Sequence, residues 1–286
     1  MEKSFQQDYE DDGRQNLLEH FLYPVSNLPT QQLSKKIAHK TILITGASFG
    51  IGASLATYLS DFPVTLWLVA RTKEKLEQLQ NSWKNKPCKV EIFAIDLRDE
   101  GQINSFLQNR PNKIDIFINN AGKSIYRGLQ ESIGRFQDVQ RCASLNYLGA
   151  VQLVLGLLPD LLAQKGHIIN ISTINARIPP TVGWSAYQSS KTAFDQWLRC
   201  LEPELSLQNV AVSTLYLPLV RTRMSMVNKQ NRERPAMSKT KATRLILRYL
   251  ISRKRIYMPW WLRGIFLINI LFPNLWYKIQ KVNLKK

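Results

Sequence analysis

The sequence predicts an α/β fold: a doubly wound parallel sheet with helices on both faces, three layers α/β/α, followed by a basic C-terminal extension. Three observations point there. Short runs rich in β-branched residues alternate with stretches of helical periodicity. The runs are apolar throughout, as strands covered on both faces must be. A glycine-rich turn follows the first run directly. Strands separated by helices at this spacing need crossover connections, and crossovers give parallel pairing.

Residues 1–39 read as an N-terminal extension, either a loosely ordered arm or a strap on the domain surface. An acidic patch runs from Asp8 to Asp12, residues 16–23 suit a short amphipathic helix, and Pro24 and Pro29 interrupt anything longer. Residues 40–258 read as the main domain. Its strands are expected at 41–45, 64–70, 89–95, 114–119, 167–171 and 210–217. Its helices are expected after the glycine turn, near 73–83, near 100–108, as one long helix near 136–162, and around Tyr187 to about 207. Residues 259–286 read as a basic, aromatic-rich extension.

Composition excludes several classes. With 286 residues and 44% hydrophobic content the chain can bury a substantial core, so disorder is not the expectation. Cys88, Cys142 and Cys200 are odd in number and far apart, and His20, His39 and His167 do not cluster. Neither a disulfide framework nor a metal site is expected, which suits a reducing cytoplasm. The first residues, MEKSFQQDYEDDG, lack the apolar stretch of a secretion signal. The net charge of +18 is uneven: from Arg221 onward there are 17 Lys or Arg against one acidic residue, Glu233. A basic appendage on a nearly neutral domain is the reading.

Two stretches carry chemistry. In the turn Thr45-Gly46-Ala47-Ser48-Phe49-Gly50-Ile51-Gly52 the glycines fall where a tight bend, close approach to a pyrophosphate and close helix packing need a missing side chain. After the second strand, where a carboxylate would bind the ribose hydroxyls of NAD, stands Arg71. A cation there suits a 2′-phosphate and favours NADP(H); otherwise Arg71 simply begins a solvated helix. In the second stretch, Tyr187 and Lys191 are four apart and share a helix face. A free phenol titrates near ~10, and an adjacent ammonium would lower that, so Tyr187 would exchange protons with a reacting oxygen.

The glycine turn, Asp96 after the third strand, Asn119-Asn120-Ala121-Gly122 after the fourth, Asn146, Ser172-Thr173 after the fifth and Tyr187…Lys191 together resemble the short-chain dehydrogenase/reductase family, over roughly residues 40–224. The resemblance implies a Rossmann-type catalytic domain and these roles. Gly46, Ser48, Gly50 and Ile51, with Gly52 closing the turn, would contact the cofactor phosphates and ribose. Asp96 and Leu97 would meet the adenine, and Asn120, Ala121 and Gly122 the middle of the dinucleotide. Tyr187 would be the general acid/base, with Lys191 holding the nicotinamide ribose. Asn146 would anchor a relay water, Ser172 or Thr173 would orient the substrate oxygen, and Thr222 would hold the carboxamide.

The sequence departs from the family pattern in two places. Ile174 occupies the slot thirteen before the tyrosine where a serine is usual, which leaves Ser172 and Thr173 as rivals. Pro218-Leu219 replaces Pro-Gly. The stretches 145–150, 166–172 and Pro218-Leu219-Val220-Arg221-Thr222, with Pro259-Trp260-Trp261-Leu262, are similar to the subgroup of bacterial fatty acyl-CoA reductases. This implies a long-chain acyl-CoA, aldehyde or lipid-like carbonyl substrate; a homo-oligomer is expected as well.

The C-terminal stretch carries Trp260, Trp261, Phe266, Phe272, Trp276 and Tyr277, interrupted by Arg263, Asn269 and prolines, so a spanning helix is not expected. Its aromatics and cations suit an anionic membrane surface, the phosphates of CoA, or a cap on the cleft or subunit interface. Nucleic acid is not expected, because the aromatics cluster with aliphatics rather than alternating with cations. A non-catalytic dinucleotide-binding regulator would need no Asn146, Tyr187 and Lys191. The expectation is therefore an NADP(H)-dependent oxidoreductase, cytoplasmic or peripherally membrane-associated.

Overall fold

The computed structural model describes residues 17–228 and 231–283. The acidic patch Asp8 to Asp12 lies outside them. Seven strands, β1 (Thr41–Thr45), β2 (Thr65–Ala70), β3 (Lys89–Ala94), β4 (Ile116–Asn119), β5 (His167–Thr173), β6 (Ala211–Leu217) and β7 (Ile256–Tyr257), form one sheet in the order β3-β2-β1-β4-β5-β6-β7. Every pairing is parallel. The helices in chain order are α1 (Leu17–Leu22), α2 (Thr30–Ile37), α3 (Gly50–Leu59), α4 (Lys73–Ser82), α5 (Glu100–Asn109), α6 (Leu129–Ser132), α7 (Phe136–Ala143), α8 (Gly149–Ala163), α9 (Ser185–Leu207), α10 (Arg223–Met226), α11 (Lys239–Ser252), α12 (Leu262–Leu271) and α13 (Pro273–Asn283).

Alternating strand residues feed two separate cores, which is why the runs are apolar without a polar face. Ile42, Ile44, Leu66, Leu68, Ile118 and Ile169 pack with α2, α3 and α11. Leu43, Trp67, Val69, Phe117 and Ile168 pack with α5, α8 and α9 on the opposite face. Each large side chain so buried contributes about 1.5–3 kcal/mol. The strand order reverses between β1 and β4, and ligands in such sheets bind beyond the carboxyl ends at that switch point.

Two features go beyond the expected elements. The long helix expected over 136–162 is present as one uninterrupted run, in which a π-helical turn (Ser144–Leu148) joins α7 to α8. The extra residue in the turn re-aims the side chains around Asn146. Directly after it Gly149 lies so close to the Leu97 carbonyl that a Cβ there would collide with it. β7, two residues long, is too short to show a period, and it extends the sheet past β6.

The described part of the N-terminal extension is a strap packed on the domain. Leu33 and Ile37 of α2 are fully buried. Glu19 of α1, 3% exposed, accepts a hydrogen bond from the Ala236 N–H at 3.0 Å and pairs with Arg221. The Tyr23 hydroxyl reaches the Pro235 carbonyl at 3.4 Å, and Arg248 Nη1 donates to Asn27 O at 2.7 Å. The strap thus braces the segment around Arg221 and Pro235. Glu19→Ala orphans the buried Ala236 N–H, so denaturant unfolding should show a loss of about 1–3 kcal/mol. An unchanged midpoint would remove Glu19 from the brace.

Candidate active site

The strand ends are joined first. Thr45 Oγ1 accepts from the backbone N–H groups of Asn120 and Ala121, both at 3.0 Å, and Asn120 Nδ2 donates back to Thr45 O at 2.9 Å. These bonds hold the end of β1 against the turn that leaves β4. Gly46 and Gly50 have φ near +66° and +60°, a region that costs residues with a Cβ. A Cβ on Gly46 would stand 3.0 Å from the Ala121 Cα, and one on Gly52 would run into the Gly46 carbonyl. The turn is therefore a snug cradle at the start of α3, with the shape and the helix N-terminus that suit a diphosphate. Ser48 and Ile51 stand on it half-buried. Thr222 closes it from the far side: a Cβ on Gly50 would be 3.5 Å from Thr222 Cγ2. The Thr222 hydroxyl itself caps α10 through Ser225.

Past Gly122 the polar groups converge. Asn146 Oδ1 and Lys191 Nζ each lie 3.3 Å from where a Gly122 Cβ would be, so only glycine leaves that space open. Asn146, 1% exposed, accepts from Lys123 N at 2.8 Å and donates to Lys123 O and Ser190 Oγ, each at 2.9 Å. Both amide hydrogens are used on the protein, so Asn146 ties the 121–123 segment to α9. The relay water expected from its side chain has only an Oδ1 lone pair to use. Ser190 Oγ passes the contact on to Tyr187 O at 2.8 Å.

The expectation that Lys191 makes Tyr187 more acidic is not what this site shows. Tyr187 is half-buried; desolvation pushes its phenol up to about 12, with the Thr173 side chain acting the other way. Lys191 is 7% exposed, and burial brings it down to about 8. Desolvation penalises both charged forms, so each group is driven towards neutrality rather than towards an ion pair. Of the two rival hydroxyls, the Thr173 side chain is the one that lowers the Tyr187 phenol, while Ser172 is buried one residue earlier on β5.

The adenosine end is electrostatically crowded. Asp96 is gripped by Arg98, whose Nε reaches both carboxylate oxygens at 3.0 and 3.1 Å and whose Nη2 lies at 2.5 Å. Arg98 holds the Asp96 carboxyl below its ordinary value. Arg71 stays exposed, its Nη1 3.9 Å from Asp96 Oδ2. Leu97 belongs to the core with 5% exposure, so its side chain has little surface to offer an adenine.

Sequence reasoning missed several members of the site. Ser190 and Arg98 carry no motif signal of their own, and Thr45 entered only as part of the turn. An aromatic wall was also missed. Trp184 stands 5.7 Å from the Tyr187 ring and 5.2 Å from Tyr126, and Gly183 at φ +79° lets the Tyr126 ring lie where a Cβ would be. Trp184, three positions before the catalytic candidate Tyr187, was the available clue.

Residues 40–233 match the family described as short chain dehydrogenase. Among curated relatives, a fatty acyl-CoA reductase of Acinetobacter baylyi is 40% identical over 227 residues, covering 78% of this chain and 77% of that one. A fatty acyl-CoA reductase of Mycobacterium tuberculosis is 36% identical over 207 residues, covering 71% and 70%. A short-chain dehydrogenase from Sphingobium yanoikuyae in complex with NADPH superimposes with a TM-score of 0.70 at 23% identity, covering 86% of this chain and 94% of that one. One from Burkholderia cenocepacia in complex with NADP gives 0.71 at 21%, covering 85% and 98%. The match across the main domain, the identity to these relatives and the parallel sheet agree, and the chain belongs to the short-chain dehydrogenase/reductase family of oxidoreductases.

Proposed function

We propose that the protein is an NADP(H)-dependent reductase of a lipid-like carbonyl compound, with Tyr187 as the proton donor. The observation that carries this is the cluster at the strand ends: Thr173 at the end of β5 and Tyr187 on α9, with Lys191 and Asn146 bordering the space above Gly122, next to the glycine cradle. When bound there, the nicotinamide would supply the hydride. Gly46, Ser48, Gly50, Ile51 and Gly52 would hold the phosphates, Asn120 to Gly122 the middle of the dinucleotide, and Thr222 the carboxamide end. Thr173 would donate to the substrate oxygen alongside Tyr187. A phenol pushed to about 12 keeps its proton at neutral pH, which suits giving it to the oxygen of a carbonyl under reduction. Lys191, while protonated, would stabilise the phenolate left behind.

The aromatic wall of Tyr126 and Trp184 favours an apolar substrate, and the two relatives named for fatty acyl-CoA reduction favour a long acyl-CoA or the matching aldehyde. Arg71, with Arg98 beside it, supports NADP(H) over NAD(H). An exposed apolar stripe of Leu148, Leu155 and Leu162, seven apart, supports association of two copies. We infer a cytoplasmic enzyme, peripheral to membrane.

Tyr187→Phe should lower kcat by about 10²–10⁴-fold in NADPH oxidation assays with acyl-CoAs and fatty aldehydes while NADPH affinity is kept; turnover near the parent rate would reject the assignment. In the reduction direction kcat/KM should be flat at neutral pH and fall as pH rises through about 8, where Lys191 loses its proton. A rise through that range, or the same fall in Lys191→Met, would contradict the role given to the ammonium. Arg71→Glu should shift the NADPH-to-NADH ratio of kcat/KM by about 10–100-fold, the worth of a charge-assisted phosphate contact of about 1.5–3 kcal/mol. An unaltered ratio would take Arg71 out of the cofactor site.

A further inference from the structure

Helices α12 and α13 have two unlike faces. Their inner residues are fastened to the loop that lies between Thr173 and Tyr187: Trp276 Nε1 donates to Pro180 O at 2.9 Å, and Gln280 Oε1 accepts from Val182 N at 3.3 Å. Phe266 lies under the Arg177 guanidinium at 5.8 Å. Their outer residues are large and apolar. Leu267, Ile268, Ile270, Leu271 and Phe272 are 51–74% exposed, and Leu275, Tyr277, Ile279 and Val282 continue the face on α13. Monomeric proteins seldom leave so many large apolar side chains together in water without a partner.

What covers the face follows from its charge. Residues 259–286 contain Arg263, Lys278, Lys281, Lys285 and Lys286 and no Asp or Glu. A second copy meeting the same face by a two-fold axis would set cations against cations. A nucleic acid would satisfy the cations and leave the leucines and isoleucines in water. The surface of an anionic bilayer satisfies both, with apolar side chains in the acyl boundary, lysines at the phosphates and aromatics at the headgroups. The two helices have 10 and 11 residues and break at Phe272 and Pro273, about half the ~20 apolar residues needed to span, so they would lie in the interface. Trp260, 51% exposed, adds a further anchor, held by Phe21 at 5.2 Å and by its Nε1 bond to Phe21 O.

We propose that the outer face of α12 and α13 docks on an anionic membrane surface and sets the mouth of the catalytic cleft against the lipid, so that substrate passes from the bilayer along the 177–184 loop to Tyr187. The passage of substrate rests on the lipid-like carbonyl reading above; the docking does not.

The test is flotation of the full chain with vesicles of phosphatidylcholine, with and without phosphatidylglycerol, next to NADPH oxidation with a short water-soluble aldehyde and with a long-chain aldehyde carried in the vesicles. The parent should float with anionic vesicles at least about tenfold better than with zwitterionic ones, and less as salt is raised. Leu267→Asp with Leu271→Asp should abolish flotation, and Lys278→Glu with Lys281→Glu should reduce it to the zwitterionic level. Both variants should keep the parent's helicity by circular dichroism and its rate on the short aldehyde while losing at least about tenfold on the vesicle-borne one. Parent protein that stays off anionic vesicles, or a Leu267→Asp/Leu271→Asp variant that floats like the parent, would overturn the docking. So would a parent dimer that this variant splits with no change in flotation. Flotation as expected, with vesicle-borne and short aldehydes slowed equally, would overturn the passage of substrate. Flotation as expected with no aldehyde or acyl-CoA reduced would sink the carbonyl reading and leave the docking standing.

Discussion

The candidate site depends on a buried ammonium. Lys191 sits at 7% exposure above Gly122, with no described carboxylate paired to it. Taking an unpaired cation out of water costs several kcal/mol, and the protein meets that cost by letting the group drift towards neutrality, to about 8. Its neighbour Tyr187 answers the same desolvation in the opposite direction, to about 12. A site built this way has a proton to give on the phenol and a cation that can be charged when a phenolate appears. The reactive pair is thus defined less by mutual attraction than by desolvation, deeper at Lys191 than at the half-buried Tyr187.

The rest of the domain keeps that pocket shaped. Thr45 locks the end of β1 to the Asn120-Ala121 turn, Asn146 locks the following residues to α9 through Lys123 and Ser190, and the π-helical turn supplies the extra residue that brings Asn146 there. Further out, Glu19 braces Arg221, the neighbour of Thr222, across 202 residues of sequence. The site is an assembly of strand ends whose side chains are spent mostly on one another, leaving Thr173, Tyr187 and Lys191 as the groups with chemistry to offer.

Much of this was legible in the residues. The run TILIT is β1 to the residue, because a strand buried on both faces leaves no ambiguity of period. The four-residue spacing of Tyr187 and Lys191 lies within a single helix, as expected. What could not be read depends on distance in three dimensions. The sign of the Tyr187 shift is set by burial, which spacing does not report. The π-helical turn within the 136–162 helix stands beside the close approach of Gly149 to Leu97, and the Glu19 brace joins residues 202 apart in the chain. Ser172 and Thr173 look equivalent as letters, but on β5 Ser172 is buried and Thr173 half-buried at the end of the strand.

Ultraviolet pH titration of tyrosinate, as a difference between the parent and Tyr187→Phe, bears most directly on the central claim. A phenol governed by burial contributes no tyrosinate up to pH ~10, the ordinary tyrosine value, and ionises only towards about 12. A Tyr187 signal appearing well below that ordinary value would mean that Lys191 does dominate, and the burial-governed pair described above would have to be abandoned.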